Sequence, residues 1–287
     1  MLNCFFVTDL HGHIDRYEKL FSAIADEKPD IVFIGGDILP HGLATQDLKL
    51  HAYKDFLDDF IIGRFKKLRS SLDKSYPRIF IILGNDDERS KESSVIEAAS
   101  SGIWEYIHNR KVQVQNYTIF GYTYVPPTPF RLKDWEKYDV SRYVDPGCIA
   151  PEEGVFSIHI STNEIKYSTI KKDLEDLTGN NNLERSVFLF HSPPYNTNLD
   201  HAALDGMMIE SVPLDPQVGS IAIRQMIENK KPYLTLHGHI HESVRLTGSW
   251  KDQIGKTLCF SAAHEGKELA LVKFDLDCIG KAVRVLI

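Results

Sequence analysis

Residues able to hold metal fall in short stretches that are far apart in the sequence. "DLHGH", residues 9 to 13, sets Asp9 and His11 one residue apart, with His13 beyond. "HGHIH", residues 237 to 241, sets His239 and His241 at the same spacing behind His237 and Gly238. Between them come Gly36-Asp37, Gly84-Asn85 and His191. Any one of these alone is more often a surface turn or a satisfied core histidine than a ligand. Their conjunction points to metal. Carboxylate, imidazole and amide oxygen form a mixed donor set that suits Mn, Fe, Zn, Ni or Co, with Mn favoured. It matches Ca or an all-thiolate site poorly. The seven donors are Asp9, His11, Asp37, Asn85, His191, His239 and His241. They exceed what one ion needs if a position is to stay open for substrate. Two divalent ions about 3.5–4 Å apart, sharing one carboxylate, fit better.

These donors need elements that bring them together. Each follows an apolar run of strand length: "NCFFVT" before Asp9, "DIVFIGG" before Asp37, "RIFIILG" before Asn85, "SVFLF" before His191 and "PYLTL" before His237. Between the runs, Ile14, Tyr17, Leu20, Phe21 and Ile24 recur at helical spacing. A long amphipathic helix is expected from Asp47 to about Leu72, and another over residues 218 to 229. Strand, polar loop, helix is α/β order, which gathers ligands at the carboxyl ends of the strands. "KVQVQNYTIFGYTYV" alternates like a hairpin about Asn116. Residues 122 to 148 read as a long ordered loop. "GVFSIHI" and "IKYSTI" suggest further strands, and "KTLCFSAA", "ELALVKFDL" and "AVRVLI" an antiparallel meander. No repeat, linker or domain boundary is visible, so residues 1–287 are expected to form a single domain.

The 287 residues allow a sizeable core. A net charge of −7 argues against general nucleic-acid binding but not against a small phosphorylated substrate, because bound cations reverse the local field. Cys4, Cys148, Cys259 and Cys278 form no CxxC pair and read as free thiols in a reducing compartment. With no transmembrane run and no leader pattern, a cytoplasmic protein is expected, with no membrane partner. Oligomeric state is not legible.

Taken in order, Asp9-x-His11, Gly36-Asp37, Gly84-Asn85, His191 and Gly238-His239-x-His241 resemble the motif set of the calcineurin-like metallophosphoesterase superfamily. The resemblance spans essentially the whole chain. "HSPPYNTNLD" and "HGHIHES" look most like its small Icc-like prokaryotic phosphoesterases. It implies a four-layer α/β/β/α sandwich. It also implies that Asp9, His11 and His241 hold one metal, that Asn85, His191 and His239 hold the other, and that Asp37 bridges them. The implied function is hydrolysis of a small phosphodiester or phosphomonoester, a nucleotide among the candidates, by attack of a metal-bridging hydroxide. Electrostatics agrees with this. Two divalent ions outweigh Asp9 and Asp37 by about two charges, so the site attracts phosphate and acidifies water.

One position departs from the family pattern. Where the family usually has GNH followed by an acid, this chain has "GNDD", with Asp86 in place of the histidine and Asp87 in place of its partner. The family histidine is thought to contact phosphate and help protonate the leaving group. The expected catalytic set here is therefore Asp86, His191 and His239. His13 or His41 could supply the missing proton; the plainer reading of each is a loop histidine bonded to backbone. His237 should orient its loop. Tyr122, Tyr124, Phe130, Trp135, Tyr138 and Tyr143 could stack on a nucleobase, but more simply cap the second sheet. "FKKLR", residues 65 to 69, reads as the solvated face of a helix. The alternative function is a metal-binding scaffold with little or no catalysis. A purely structural metal site fits seven donors poorly.

Overall fold

The computed structural model describes residues 2–41, 50 and 52–287. The chain runs β1 (Asn3–Val7), α1 (Ile14–Glu27), β2 (Ile31–Gly35), a π-helical segment (Phe56–Ile62) continuing into α2 (Gly63–Leu72), β3 (Arg78–Ile82), α3 (Glu92–Ser100), β4 (Glu105–Tyr106), β5 (Arg110–Val114) and β6 (Tyr117–Tyr122). After a long loop come α4 (Thr162–Tyr167), α5 (Ile170–Thr178), β7 (Ser186–Phe190), a hairpin of β8 (Met208–Ile209) and β9 (Val212–Pro213), α6 (Ile221–Lys230) and β10 (Leu234–His237). The last elements are α7 (Ser243–Thr247), β11 (Lys251–Ile254), β12 (Thr257–Ser261), β13 (Ala270–Asp275) and β14 (Val283–Leu286).

Two six-stranded mixed sheets result, in the orders β14-β13-β1-β2-β3-β4 and β11-β12-β10-β7-β6-β5. In the first, β1, β2 and β3 are parallel; in the second, β6, β7 and β10 are parallel. Pleating divides each strand between two environments. Phe6, Phe33 and Phe80 point into a layer shared with Ile119, Leu189, Leu236 and Phe260 of the second sheet. Their neighbours Phe5, Val32 and Ile81 point the other way, into the cluster that holds Tyr17 and Leu20 of α1 and Phe65 of α2. On the far side Phe120 and Phe188 stack at 4.5 Å and belong to the cluster containing Leu174 of α5 and Ile223 of α6. The layers are therefore helix, sheet, sheet, helix, as the resemblance implied.

Three expectations are corrected. The long helix does not run regularly from Asp47. Residues 47–49 lie outside the described residues, and the helix begins at Phe56, where the Asp55 side chain accepts N–H from Leu57 and Asp58. Its first part is π-wound, a form common near functional sites. "GVFSIHI" is loop and "IKYSTI" is helical, split between α4 and α5. Ser161 and Thr169 cap those helices by accepting from Glu164 N–H and Lys172 N–H, so the apolar alternation misled. The C-terminal meander is divided: β12 pairs with β10 and β11 in the second sheet, whereas β13 and β14 complete the first. Among the described residues no helix is long and apolar enough to cross a membrane. All four cysteines are free.

Candidate metal centre

The loops after β1, β2, β3, β7 and β10 converge at one edge of the sandwich. Two groups of ligand atoms form there, each within 4.8 Å: Asp9, His11, Asp37 and His241, and Asp37, His191 and His239. Asp37 belongs to both. Asn85 Oδ1 lies 3.0 Å from His191 Nε2, which places the amide beside the second group. All seven donors read from the sequence are thus brought together.

Local backbone strain aims several of them. Asp9, His11, Asp37 and His239 have φ of 55°, 44°, 50° and 74°, in the left-handed region that non-glycine residues seldom occupy. They are four of the twelve such non-glycine residues among those described. Strain of this kind persists at functional sites because the surroundings hold it. The ties are visible: Asp9 N–H donates to Gly36 O at 3.0 Å, and His11 N–H to Asp37 O at 2.8 Å. The glycines of the motifs admit close approach. A Cβ on Gly84 would lie 2.2 Å from Asp37 Oδ1, and one on Gly238 2.2 Å from Thr8 Oγ1.

Asp9 and Asp37 are fully buried. Asp9 accepts His239 N–H at 3.1 Å and faces His241 Nε2 at 3.4 Å. Asp37 Oδ1 accepts Asp86 N–H at 2.9 Å, and its Oδ2 lies 3.1 Å from His191 Nε2. Burial alone would raise both carboxyls. For Asp9 the histidines, His241 first, outweigh it and hold the group down at about 2. For Asp37 they hold it well below the usual carboxylate range. His191 Nδ1 donates to Gly35 O at 2.8 Å, which fixes the tautomer and turns Nε2 inward. Burial opposes charge on His191, but Asp37 outweighs it and raises the imidazole to about 10. Burial lowers His11 to about 4 and His239 to about 3, so both are neutral with lone pairs available. The Nε2 atoms of His11 and His241 face each other at 3.0 Å. Buried anions, neutral imidazoles and an amide oxygen crowded together fit a pair of divalent cations.

Asp86 and Asp87 point apart. Asp87 is wholly buried and accepts N–H from Gly84 at 2.9 Å, Ile38 at 3.1 Å and Leu39 at 2.8 Å, tying the Asn85 loop to the Asp37 loop. Asp86 faces the centre, with Oδ2 3.8 Å from His11 Nδ1. Burial first, then Asp37, pushes its carboxyl up to about 8, and cations beside it would act in the opposite direction. His41 Nε2 lies 3.9 Å from Asp86 Oδ1, whereas His13 is exposed at the start of α1. His237 is buried, with Nδ1 2.9 Å from Ser192 O and Nε2 2.7 Å from Thr235 Oγ1, and serves its loop as expected. Tyr122, Tyr124, Trp135 and Tyr138 are core residues; Phe130 and Tyr143 are exposed. Lys66, Lys67 and Arg69 are solvated.

Sequence reasoning passed over Arg16. It is buried on α1 and donates to Asp9 O at 2.5 Å, Gly266 O at 2.5 Å and His264 O at 3.2 Å, bracing the loop that carries Asp9. An arginine beside Tyr17, Leu20 and Phe21 on the apolar face was the available signal.

A profile described as calcineurin-like phosphoesterase matches residues 2–243. Among solved structures, the chain is similar to a dimetal phosphatase from Danio rerio, with 12% identity, TM-score 0.52, and 100% of this chain and 98% of that one covered. It is also similar to TT1561 of Thermus thermophilus, with 15% identity, TM-score 0.52, and 99% and 98% covered. For the phosphopantetheinyl hydrolase PptH of Mycobacterium tuberculosis the figures are 10% identity, TM-score 0.51, and 92% and 90% covered. At such identities the likeness concerns the fold. No curated protein matches the chain.

Proposed function

The chain belongs to the calcineurin-like phosphoesterase family, and on that premise we propose that it hydrolyses a small phosphodiester or phosphomonoester with the help of two divalent cations, Mn²⁺ favoured. The observation that carries this reading is the presence of Asp37 in both donor groups. Asp9, His11 and His241 hold one cation in this reading; Asn85, His191 and His239 hold the other; Asp37 serves both. The cations supply an acidified water and charge neutralisation at the phosphoryl oxygens. The protein's own part is positional. Gly35 O orients His191, His239 N–H orients Asp9, and Asp86 N–H orients Asp37. Asp86 is the side chain best placed to meet the substrate beyond the ligands.

A scaffold with little catalysis has one observation in its favour. Asp86 puts a carboxyl where an incoming phosphate would meet it, and an ionised one repels phosphate. The deciding experiment is metal analysis of the purified protein together with assay of chromogenic mono- and diesters with Mn²⁺ added. Two bound metals with ester cleavage support the hydrolase. Two bound metals without cleavage of any ester support the scaffold.

A further inference from the structure

The mouth of the centre is lopsided. On the Asp86 side a cleft of about 400 Å³ opens, within the range of small-molecule sites. Asp86 and His41 form its inner end, so it begins about one contact distance from His11. Leu39 and Pro40 line it just beyond the Asp37 motif. Phe56 and Leu57 line it from the first turn of the π-helical segment, and Leu132 from the long loop after β6. The charges are unbalanced. Lys91 is ion-paired with Asp55. Among the described lining residues that leaves Lys54 against the carboxyls of Asp86 and Glu88.

We propose that this cleft receives one ester arm of the substrate, and that the arm is an uncharged alcohol with an apolar body. The inference rests on the reading of the centre as a phosphoesterase site and adds a substrate class to it. A phosphorus atom held at the metal centre projects its substituents outward, and one that leaves past Asp86 meets the apolar side chains of Leu39, Pro40, Phe56 and Leu132 among the charged ones. A second phosphate on that arm, as in a nucleoside polyphosphate, would be set against the half-buried Asp86 and the exposed Glu88. A phenyl or short alkyl body instead covers the half-buried Phe56 and Leu132. If this arm is the one cleaved, the new P–O bond comes from water. The old P–O bond breaks towards the arm, which takes up a proton and departs as a neutral alcohol that the cleft still accommodates.

The test measures binding to metal-loaded protein by calorimetry, with three probes that are not hydrolysed: inorganic phosphate, phenylphosphonate and 3-phosphonopropionate. Phosphate serves as the reference for the centre itself. Wild-type protein should bind phenylphosphonate roughly tenfold more tightly than phosphate, as expected for burying one ring face. It should bind 3-phosphonopropionate no better than phosphate. Glu88→Lys should move the preference towards the carboxylate-bearing probe. Leu132→Asp should remove most of the advantage of the phenyl probe. Metal content and circular dichroism of both variants verify that they are folded and loaded. Equal affinities for all three probes, or ratios that neither variant moves, overturn the cleft assignment while ester hydrolysis can still stand. Failure of the loaded protein to bind any of the three overturns the phosphoesterase reading and the cleft together.

Discussion

Asp37 is one carboxylate placed in two donor groups, and its loss should be felt twice. Asp37→Asn removes the charge that serves both cations, so metal analysis should show occupancy falling at both. His241→Ala should empty mainly one. Full occupancy of two metals in Asp37→Asn would disprove the shared role. Asp86 yields a second expectation at this scale. With cations bound, an ionised Asp86 cannot donate a proton, and turnover then depends on a good leaving group. Asp86→His should therefore raise kcat/KM for alkyl esters selectively, by up to the roughly 10²–10⁴-fold typical of a positioned acid. The quantity to compare is the aryl-to-alkyl ratio in the two forms. An unchanged ratio would mean that Asp86 does not stand in the place of a missing acid. The seven candidate donors, which the structure gathers at one edge, were legible from sequence because each is a metal-ligating type at or just past the end of an apolar run. The part played by Asp87 was not, because a carboxylate that binds three backbone amides has no spacing signature.

At the scale of elements, the centre depends on loops being fastened to one another. Asp87 holds the loops after β2 and β3 together through three N–H groups. Asp87→Ala leaves those donors buried and unmatched, each at about 1–3 kcal/mol. Urea denaturation should show a loss of roughly 3 kcal/mol or more, and metal affinity should drop in the same variant. Asp87→Asn, which keeps one acceptor oxygen, should recover part of both. Wild-type stability in the alanine variant would show that the amides find other acceptors. The strands carrying the ligands were readable because a fully buried strand is a continuous apolar run with an abrupt polar end. The helices were less so. "ESSVIEAAS" of α3 buries only Val95 and Ala98, too little apolar periodicity to stand out. The start of α5 resembles a strand because Ile170 follows a polar-apolar alternation, and only the Thr169 cap betrays it.

For the molecule as a whole, metal uptake and proton balance are linked. His191 is held up at about 10 by Asp37, so at pH 7 it carries a proton that must leave before Nε2 can ligate. His11 and His239, lowered to about 4 and 3, have none to lose there. The sign follows: metal binding at pH 7 releases the proton of His191 and adds those lost by Asp86 and by His241, which Asp9 raises, so affinity rises as pH is raised from 7 towards 10. Calorimetry of Mn²⁺ binding in two buffers of different ionisation enthalpy counts the protons. A count near zero would contradict the charged His191. Chelation should also lower the melting temperature. A ligand at a hundred times its Kd contributes about 2.7 kcal/mol, or roughly 2–4 °C per kcal/mol in a chain of this size. Added Mn²⁺ should restore it, and a scan unaffected by chelator would mean that no metal braces the fold.

The strand order has a consequence for biosynthesis. β1, which leads into Asp9, is flanked by β2 on one side and by β13 on the other. The first neighbour is the next strand made, but the second spans Ala270–Asp275 and follows every other named strand except β14. Until β13 is made, the backbone edge of β1 on that side stays bare, open to pairing with any passing strand. His239 and His241 also arrive late. A nascent chain that has not reached residue 239 therefore lacks two of the candidate donors. A ribosome stalled before residue 270 holds a sheet with an unprotected edge at its centre.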